Sequence, residues 1–311
     1  EIRPRDWSSD VCSSDLHMSL KKNSPPVTRH DRMKLLKFDE EKAFQFIKEQ
    51  VAFGPRPAGS TAHEKIQLYL SDKLSELVDE FTPHIFEEKF FNKPCICKNI
   101  RGTIHGRNRK NRILIGSHYD TRPFADEDSD PANHKKPVLG ANDGASGIAV
   151  LLELARIFNI KRPKCDVEIV FFDAEDWCRI DGKDVSLGAH RYVEDNPDKL
   201  PDKVIIIDMV GGKNMELDVD LHCFIHKNCE ELTVKLFRIG RNLKYPAYNF
   251  TKTDTYKYIV CDHIPFILKR IPATILIDID YPQWHTVSDT PEHCHPFSLK
   301  QTGDVLYEYL R

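Results

Sequence analysis

Four short runs of apolar residues constrain the fold of this chain most strongly. Each run is continuous rather than alternating, which is typical of strands that are buried on both faces of a sheet. The segments between the runs have helical periodicity, which is clearest from Gly147 to Phe158. Strands that alternate with helices predict an α/β fold with a largely parallel sheet. The four runs are residues 113–115, 167–172, 204–207 and 273–277.

The part of the chain before these runs predicts two helices and two strands. Asp39 and Ser60 are suitable N-caps, so a helix is expected to begin at each of them. Strands are expected at residues 85–91 and 98–104, joined by a turn at residues 92–94. A closing helix is expected at residues 297–310. The second helix is expected to take its apolar positions from Ile66, Leu68, Leu70, Leu74 and Leu77.

Three segments differ in character along the 311 residues. Residues 1–16 have no periodic apolar pattern and resemble a translated sequencing-adapter read-through, so we interpret them as non-native. Residues 17–37 are polar and basic, and they predict a disordered or loosely packed arm. Residues 38–311 contain no linker and no internal repeat, which predicts a single catalytic domain.

Composition and charge disfavour several classes of partner. Hydrophobic residues make up 40% of the chain and charged residues 30%, as in ordinary globular proteins. The net charge of −3 points to neither a nucleic-acid nor a membrane partner. The nine cysteines form no CxxC pair, so buried reduced thiols are expected, and these weakly favour the cytoplasm. The compartment stays open, because the native start of the chain is not identified, and the sequence does not indicate the oligomeric state.

Residues that bind transition metals follow three of the apolar runs. His118, Asp176 and Asp208 come shortly after the first, second and third run. Because ligands bind outside the carboxyl ends of the strands in open α/β sheets, we expect these side chains to converge at one edge. Asp143 and His285 lie between and after them in the chain. Two imidazoles and three carboxylates suit a pair of zinc ions that share one carboxylate.

Each of these residues, taken alone, also has an ordinary structural explanation. Asp143 lies in a glycine-rich loop before a helix, where aspartate is common. Asp120 strengthens His118 as a ligand, because a carboxylate two residues further on can accept the second ring proton. Glu175 and Asp176 are adjacent acids that repel each other unless a cation compensates. Glu175 is placed to act as a base.

The region around His285 contains further polar residues. His293 and His295, which flank Cys294, are interpreted as part of a solvated turn rather than as a second metal site. No role is predicted for Asp278, Asp280 and Asp289.

Five short motifs, taken in this order, resemble those of the zinc aminopeptidase and glutaminyl cyclase family. The resemblance covers residues 38–311 and implies a twisted, mixed sheet flanked by helices. It also implies that Glu175 is the general base and that Asp120 orients His118. The aminopeptidases usually have glutamate at the position of Asp176. The motifs are Ser-His-Tyr-Asp-Thr at 117–121, Gly-Ala-Asn-Asp-Gly-Ala-Ser-Gly at 140–147, Phe-Phe-Asp-Ala-Glu-Asp at 171–176, Ile-Asp-Met at 207–209 and Trp-His-Thr at 284–286. The implied metal ligands are His118, Asp143 (bridging), Asp176, Asp208 and His285.

Some stretches look more like the cyclase branch of this family. They are Asp-His-Ile-Pro-Phe at 262–266 and Tyr-Pro-Gln-Trp-His-Thr at 281–286, and they imply that Trp284 lines the pocket for the N-terminal side chain. Residues 121–128 resemble bacterial relatives that are often given the cyclase name. However, Cys261 and Ile275 stand where the animal cyclases have an aspartate and a histidine of a hydrogen-bond network, which counts against cyclisation.

Three functions are therefore considered, the first two acting on a peptide or protein N-terminus. The favoured one is a metallo-aminopeptidase, in which one or two zinc ions activate a water and Glu175 takes its proton. The second is a glutaminyl-peptide cyclotransferase, in which one zinc is held by Asp143, Asp176 and His285. The third is a metal-free binding module with the same fold.

Overall fold

The structure is a computed structural model, and it describes residues 36–249 and 255–311. Phe38–Arg311 form one compact unit. The predictions for residues 1–16, and for all but the last two residues of the segment 17–37, lie outside the described residues.

A mixed sheet forms the centre of this unit. In the described residues its strands have the order β1-β3-β5-β4-β6-β9, with β2 paired to β3. The pairs β4–β5, β4–β6 and β6–β9 are parallel, whereas β3 runs antiparallel to β5. The predicted α/β fold with a mixed sheet is therefore confirmed. Three of the six strand pairs in the described part of this sheet are parallel, rather than most of them, because β1, β2 and β5 all pair with β3 in the antiparallel direction. The strands are β1 Glu80–Phe81, β2 His84–Phe90, β3 Lys93–Ile104, β4 Asn108–His118, β5 Cys165–Phe172, β6 Lys203–Asp208 and β9 Ala273–Ile277. A separate short pair consists of β7 Val219–Asp220 and β8 Tyr256–Lys257.

The four continuous apolar runs form β4, β5, β6 and β9. Every residue of β9 and all but the first of β6 are buried, as expected for strands covered on both faces. Helices cover the two faces. In the described residues they are α1 Glu40–Val51, α2 Thr61–Ser75, α3 Ala145–Ile160, α4 Leu187–Asp195, α5 Lys227–Asn242, α6 Ile264–Leu268 and α7 Pro296–Leu310.

Helix α3 lies directly against the sheet, and its first turn carries the contact. A Cβ on Gly147 would lie 2.1 Å from Ser117 Oγ and 2.8 Å from the carbonyl oxygen of Ile207. Only glycine allows this approach to β4 and β6. The helix is buried on almost all sides, so the loop that precedes it is held close to the ends of both strands.

Helices α1 and α2 begin where their caps predict. The Asp39 carboxylate accepts a hydrogen bond from Lys42 N, and the Ser60 hydroxyl accepts one from His63 N. Two of the predicted apolar positions of α2 are wrong. Leu77 is partly buried but lies beyond the end of the helix at Ser75. Leu68 is 63% exposed, whereas Leu70 is fully buried, because the buried face of α2 runs through positions 66, 70 and 74, four residues apart.

The hairpin of β2 and β3 differs from its prediction. Strand β3 begins at Lys93 rather than at residue 98, and Pro94 pairs with Lys89 inside the ladder. The turn is therefore only Phe91 and Asn92, which both have positive φ, 49° and 61°. Two consecutive residues of this kind are the usual connection of a tight hairpin. The proline suggested a turn, but a strand tolerates proline where no ladder hydrogen bond is needed.

Two general features of the described residues concern thiols and membranes. All of their cysteines are free thiols, and all but Cys178 are buried, in agreement with the prediction. None of their helices combines the length and the apolarity that crossing a bilayer requires.

The pair Leu70 and Leu68 offers a matched test of this packing. Leu70→Ala is expected to lower the free energy of unfolding by about 2–5 kcal/mol, because it leaves a cavity in the core. Leu68→Ala, two residues away in the same helix, is expected to change it by less than about 0.5 kcal/mol. Urea unfolding of the full chain measures both. Equal losses in the two variants would contradict the assigned helix face.

Candidate metal centre

The predicted ligands lie at the carboxyl edge of the parallel strands. His118 is the last residue of β4 and Asp208 the last residue of β6, while Glu175 and Asp176 follow β5 by a few residues. His118 is in register with Phe172, the last residue of β5. The strand ends are therefore level, and the side chains that follow them point into the same space.

Loops with unusual backbone conformations complete this edge. Ala174, Met209 and His285 have φ values of 56°, 46° and 52°, and each is a predicted site residue or lies next to one. Residues without glycine's freedom rarely adopt this region, and such strain clusters at functional sites. Gly144, with φ of 92°, follows Asp143 directly, and a Cβ there would lie 2.5 Å from Asp120 O.

The structure brings the five predicted ligands into two groups of three that share Asp143. His118 Nε2 lies 3.0 Å from Asp143 Oδ1 and 3.1 Å from Asp208 Oδ1. His285 Nε2 lies 3.2 Å from Asp176 Oδ1 and 3.6 Å from Asp143 Oδ2. Within each group the potential ligand atoms are all within 4.8 Å of one another, and all five residues are buried. The shorter aspartate at position 176 therefore reaches the group.

The chemistry of these atoms fits a cation. Among the described residues, Asp143 Oδ2 and Asp176 Oδ2 are buried carboxylate oxygens with no hydrogen-bond donor, and an unpaired buried charge of this kind is strongly unfavourable. Burial and the charge of Asp176 raise the pKa of Asp143 to about 6. Imidazole and carboxylate ligands in three-residue groups are typical of zinc sites with an open position.

Asp120 organises the loop that carries Glu175 and Asp176. Its two carboxylate oxygens accept hydrogen bonds from Glu175 N at 3.0 Å and from Asp176 N at 3.2 Å. Asp120 Oδ1 also lies 3.6 Å from His118 Nδ1, which is longer than a hydrogen bond. Asp120, which was predicted to orient His118, therefore faces the imidazole ring of His118 and also holds the backbone of Glu175, the predicted base.

Glu175 lies in a buried, acidic environment. Burial raises the pKa of its carboxyl well above the ordinary value, and the neighbouring Asp262 adds to this shift, while His118 opposes it. The Ser186 hydroxyl donates a hydrogen bond to Glu175 Oε1 at 3.2 Å. Asp262 is itself completely buried, with a pKa raised by burial to about 8. A carboxyl group in this setting is suited to accept a proton and return it.

Sequence reasoning missed a second clamp, formed by Asp289. Its carboxylate accepts hydrogen bonds from Asn142 N at 2.9 Å, Asp143 N at 3.0 Å and Tyr281 OH at 3.0 Å. It is completely buried, and burial together with the charge of Asp143 raises its pKa to about 7. A position four residues after His285 gives no sign of this role, because the contact spans 146 residues of chain.

Arg56 is a second residue that sequence reasoning missed. Its guanidinium is buried and donates to the carbonyl oxygens of Tyr119, Leu139 and Gly140, each at 2.8 Å. In the chain, Tyr119 directly follows His118, while Leu139 and Gly140 come shortly before Asp143. Arg56 therefore fixes two loops of the centre and brings a positive charge close to its carboxylates.

A cavity of about 320 Å³ opens onto these residues. Trp284 lines it, and its ring stacks on His285 with 4.1 Å between centroids. Residues 121–128 contribute Arg122, which holds Asp126 by two hydrogen bonds. Asp126 Oδ1 in turn lies 3.6 Å from His285 Nδ1.

The residues that distinguish the cyclase pattern occupy different places. Cys261 lines the cavity, and its thiol donates to Asp208 Oδ2 at 3.6 Å. Ile275 is buried within β9 and belongs to the apolar core. His293 and His295 are partly or fully exposed, and they form no metal-type group among the described residues.

Comparison with known proteins gives one family. The model of "Peptidase family M28" matches residues 99–310. A glutaminyl-peptide cyclotransferase of Drosophila melanogaster is 24% identical over 76% of this chain and 70% of its own length. The bovine protein of the same name is 22% identical over 65% of this chain and 62% of its own length. The chain thus spans only about three fifths of some of these relatives.

Solved structures are similar over nearly the whole domain. A glutaminyl cyclase from Bacteroides thetaiotaomicron is 32% identical, with a TM-score of 0.78 over 88% of this chain and 98% of that one. A leucine aminopeptidase precursor from the same organism is also 32% identical, with a TM-score of 0.79 over 88% and 97%. A Zn-dependent exopeptidase from Parabacteroides distasonis is 29% identical, with a TM-score of 0.78 over 88% and 98%.

The clamp formed by Asp289 can be tested through metal affinity. An asparagine has one acceptor oxygen, so Asp289→Asn cannot hold both backbone amides, and Asp143 is expected to lose its fixed position. Zinc affinity should fall about 10–100-fold, as for other residues that orient a ligand. Competition with a chelator measures it, with thermal melting as a check of folding. Asp280→Asn, at an exposed site nearby, is the control, and equal affinity in both variants would rule out the clamp.

Proposed function

The chain belongs to peptidase family M28, and from this premise we propose that it is a zinc-dependent glutaminyl-peptide cyclotransferase. Membership makes it an enzyme, either a metallopeptidase or a glutaminyl cyclase, so the metal-free binding module is set aside. The proposed reaction converts an N-terminal glutamine into pyroglutamate. The α-amine forms a bond to the side-chain amide carbon, and the amide nitrogen leaves as ammonia.

The hydrogen bonding of Asp208 carries this choice. Both of its carboxylate oxygens have protein partners, His118 on Oδ1 and the Cys261 thiol on Oδ2. Among the carboxylates of the two ligand groups, the oxygens without a donor belong instead to Asp143 and Asp176, which form a group with His285. This difference favours one cation at Asp143, Asp176 and His285. It reverses the order of preference that the sequence alone suggested.

The cysteine at position 261 also bears on cyclisation. Burial raises the pKa of its thiol well above the ordinary value, and the charges of Glu175 and Asp208 add to the shift. The group therefore stays protonated and donates to Asp208, so that a hydrogen bond is retained where the animal enzymes are expected to have a carboxyl group. Ile275, at the position where the hydrogen-bond network of the animal enzymes is expected to have a histidine, is buried in the apolar core.

Bound by Asp143, Asp176 and His285, zinc would supply a Lewis acid that polarises an amide carbonyl. Glu175 lies beside this group and accepts the proton that the α-amine loses. It then donates that proton to the leaving amide nitrogen, so atoms and charge balance. Asp120 keeps Glu175 in place through its backbone amide, and Ser186 orients its carboxyl group by a hydrogen bond.

The cavity suits one terminal residue. Its volume of about 320 Å³ is at the small end of the range for ligand pockets. Trp284 supplies an apolar wall next to His285, against which the methylene groups of a glutamine side chain can pack. The chain segment that carries Arg122 and Asp126, which resembles the bacterial relatives, forms another wall.

A metallo-aminopeptidase is the second candidate. The observation that favours it is the pair of three-residue groups sharing Asp143, which matches a two-metal centre. A leucine aminopeptidase precursor is also among the similar structures. In this case Glu175 would take a proton from water and give it to the amine of the departing peptide.

Glu175→Gln tests the proton carrier under either candidate. The amide cannot accept a proton, so turnover is expected to fall about 10²–10⁴-fold. Zinc content should be unchanged, because Glu175 belongs to neither ligand group. Glu127→Gln removes an exposed carboxylate from the cavity wall and should have a much smaller effect. Wild-type turnover at full metal occupancy would remove Glu175 from this role.

Product identification separates the two candidates. A peptide that begins with glutamine should yield pyroglutamyl peptide and ammonia in equal amounts, with no free amino acid. Mass spectrometry and an ammonia assay measure these quantities. A matched peptide that begins with leucine is the control. Release of free leucine would favour the aminopeptidase instead.

A further inference from the structure

A second cluster of histidine, cysteine and aspartate lies outside the proposed active centre. Asp220 ends β7, Cys223 lies in the short 3-10 helix Leu221–Phe224 that follows, and His263 directly precedes α6. One potential ligand atom from each is within 4.8 Å of the other two, and all three residues are buried. The metal chemistry described above uses none of them.

We propose that Asp220, Cys223 and His263 form a structural site that binds an additional transition-metal ion of the zinc type. Carboxylate, thiolate and imidazole are the ligands that zinc prefers. Three protein ligands leave a fourth position for water. The proposal does not depend on whether the enzyme cyclises or hydrolyses its substrate.

Of two distances within the cluster, one matches a tetrahedral zinc site, and the other shows how far the imidazole must move for a metal to bind. In a tetrahedral zinc site, a thiolate sulfur and a carboxylate oxygen are about 3.6 Å apart, and an imidazole nitrogen and such an oxygen about 3.4 Å. Cys223 Sγ lies 3.5 Å from Asp220 Oδ2, and His263 Nε2 lies 2.7 Å from the same oxygen. The distance from the sulfur to the carboxylate oxygen thus already suits zinc, whereas the imidazole must move away from that oxygen by about 0.7 Å.

The other oxygen of Asp220 is held by neighbouring groups. Asp220 Oδ1 accepts hydrogen bonds from Ile259 N at 2.9 Å, His222 N at 3.2 Å and His222 Nδ1 at 2.9 Å. This leaves Oδ2 facing Cys223 and His263. Metal sites commonly fix a carboxylate ligand by hydrogen bonds to its second oxygen.

The position of the cluster indicates what a metal there would do. Strands β7 and β8 pair through only two residue pairs, so this part of the fold has few backbone bonds. Ile259 and Cys261, which lie between β8 and His263, line the active-site cavity. An ion at the cluster would tie this wall to β7 and so stabilise the cavity.

Cobalt distinguishes this site from the proposed active centre, whose ligands are only nitrogen and oxygen. The metal-free full chain is titrated with Co²⁺, and near-ultraviolet absorption is recorded for the thiolate-to-cobalt charge-transfer band. We expect the band to develop with one equivalent of cobalt beyond that of the active centre. Cys223→Ser should lose both the band and that equivalent. Cys229→Ser, at a buried thiol that is hydrogen-bonded to backbone atoms of Ile271 and Ala273, should keep both.

Two further variants keep the outcome decisive. Cys261 lies close to Asp208, so the titration is repeated with Cys261→Ser, and the band is expected to remain. His263→Asn can still form a hydrogen bond to Asp220, but it should lose the additional equivalent of cobalt. This variant tests the site if circular dichroism shows that Cys223→Ser does not fold. Absence of the band from the wild-type protein would overturn the proposal, as would a band that disappears only in Cys261→Ser. In either case the cluster consists of buried side chains that are joined by hydrogen bonds and bind no metal.

Discussion

Buried negative charge at the carboxyl edge of the parallel strands is the constraint on which the rest of the structure depends. Asp143, Asp176 and Asp208 are each at least nine-tenths buried within one space, together with Glu175. Two histidines and the guanidiniums of Arg56 and Arg122 lie near these acids, and the arginines are engaged mainly by backbone carbonyls or by Asp126. Isolated charges of this kind would be strongly destabilising in an apolar interior. A bound cation removes the conflict, and for that reason the fold and the proposed zinc chemistry cannot be separated.

Further carboxylates hold the ligands in place through hydrogen bonds to the backbone. Asp120 binds the backbone amides of Glu175 and Asp176, and Asp289 binds those of Asn142 and Asp143. Backbone amides do not carry a full charge, yet each satisfies a carboxylate oxygen, so acids can be buried side by side. These acids thereby fix the backbone of the two loops, so the ligand side chains that the loops carry keep their positions. Their geometry is set by contacts that span 55 residues in one case and 146 in the other.

The sequence predicted the features that depend on local pattern. Continuous apolar runs identified β4, β5, β6 and β9, and the rule for strand ends placed His118, Asp176 and Asp208 at one edge. The sequence also predicted the helix caps at Asp39 and Ser60. Features that depend on distant contacts were not: Asp289 has no local signal, and Leu68 follows the apolar pattern but faces solvent. The hairpin was misjudged because Pro94 suggested a turn, whereas the positive φ values of Phe91 and Asn92 provide it. Motifs therefore located the candidate site, while its supporting contacts required coordinates.

Cys261 illustrates why a motif cannot decide between closely related reactions. From the sequence, a cysteine in place of an aspartate removes a polar group from a network and argues against cyclisation. In the structure its thiol lies 3.6 Å from Asp208 Oδ2, and because burial keeps it protonated it acts as a donor to an acid rather than as another acid. A second carboxyl group at this point would add to the negative charge beside Asp208 unless it were protonated. A neutral donor satisfies Asp208 without that requirement, and it leaves the unpaired oxygens of Asp143 and Asp176 as the place where a cation is needed.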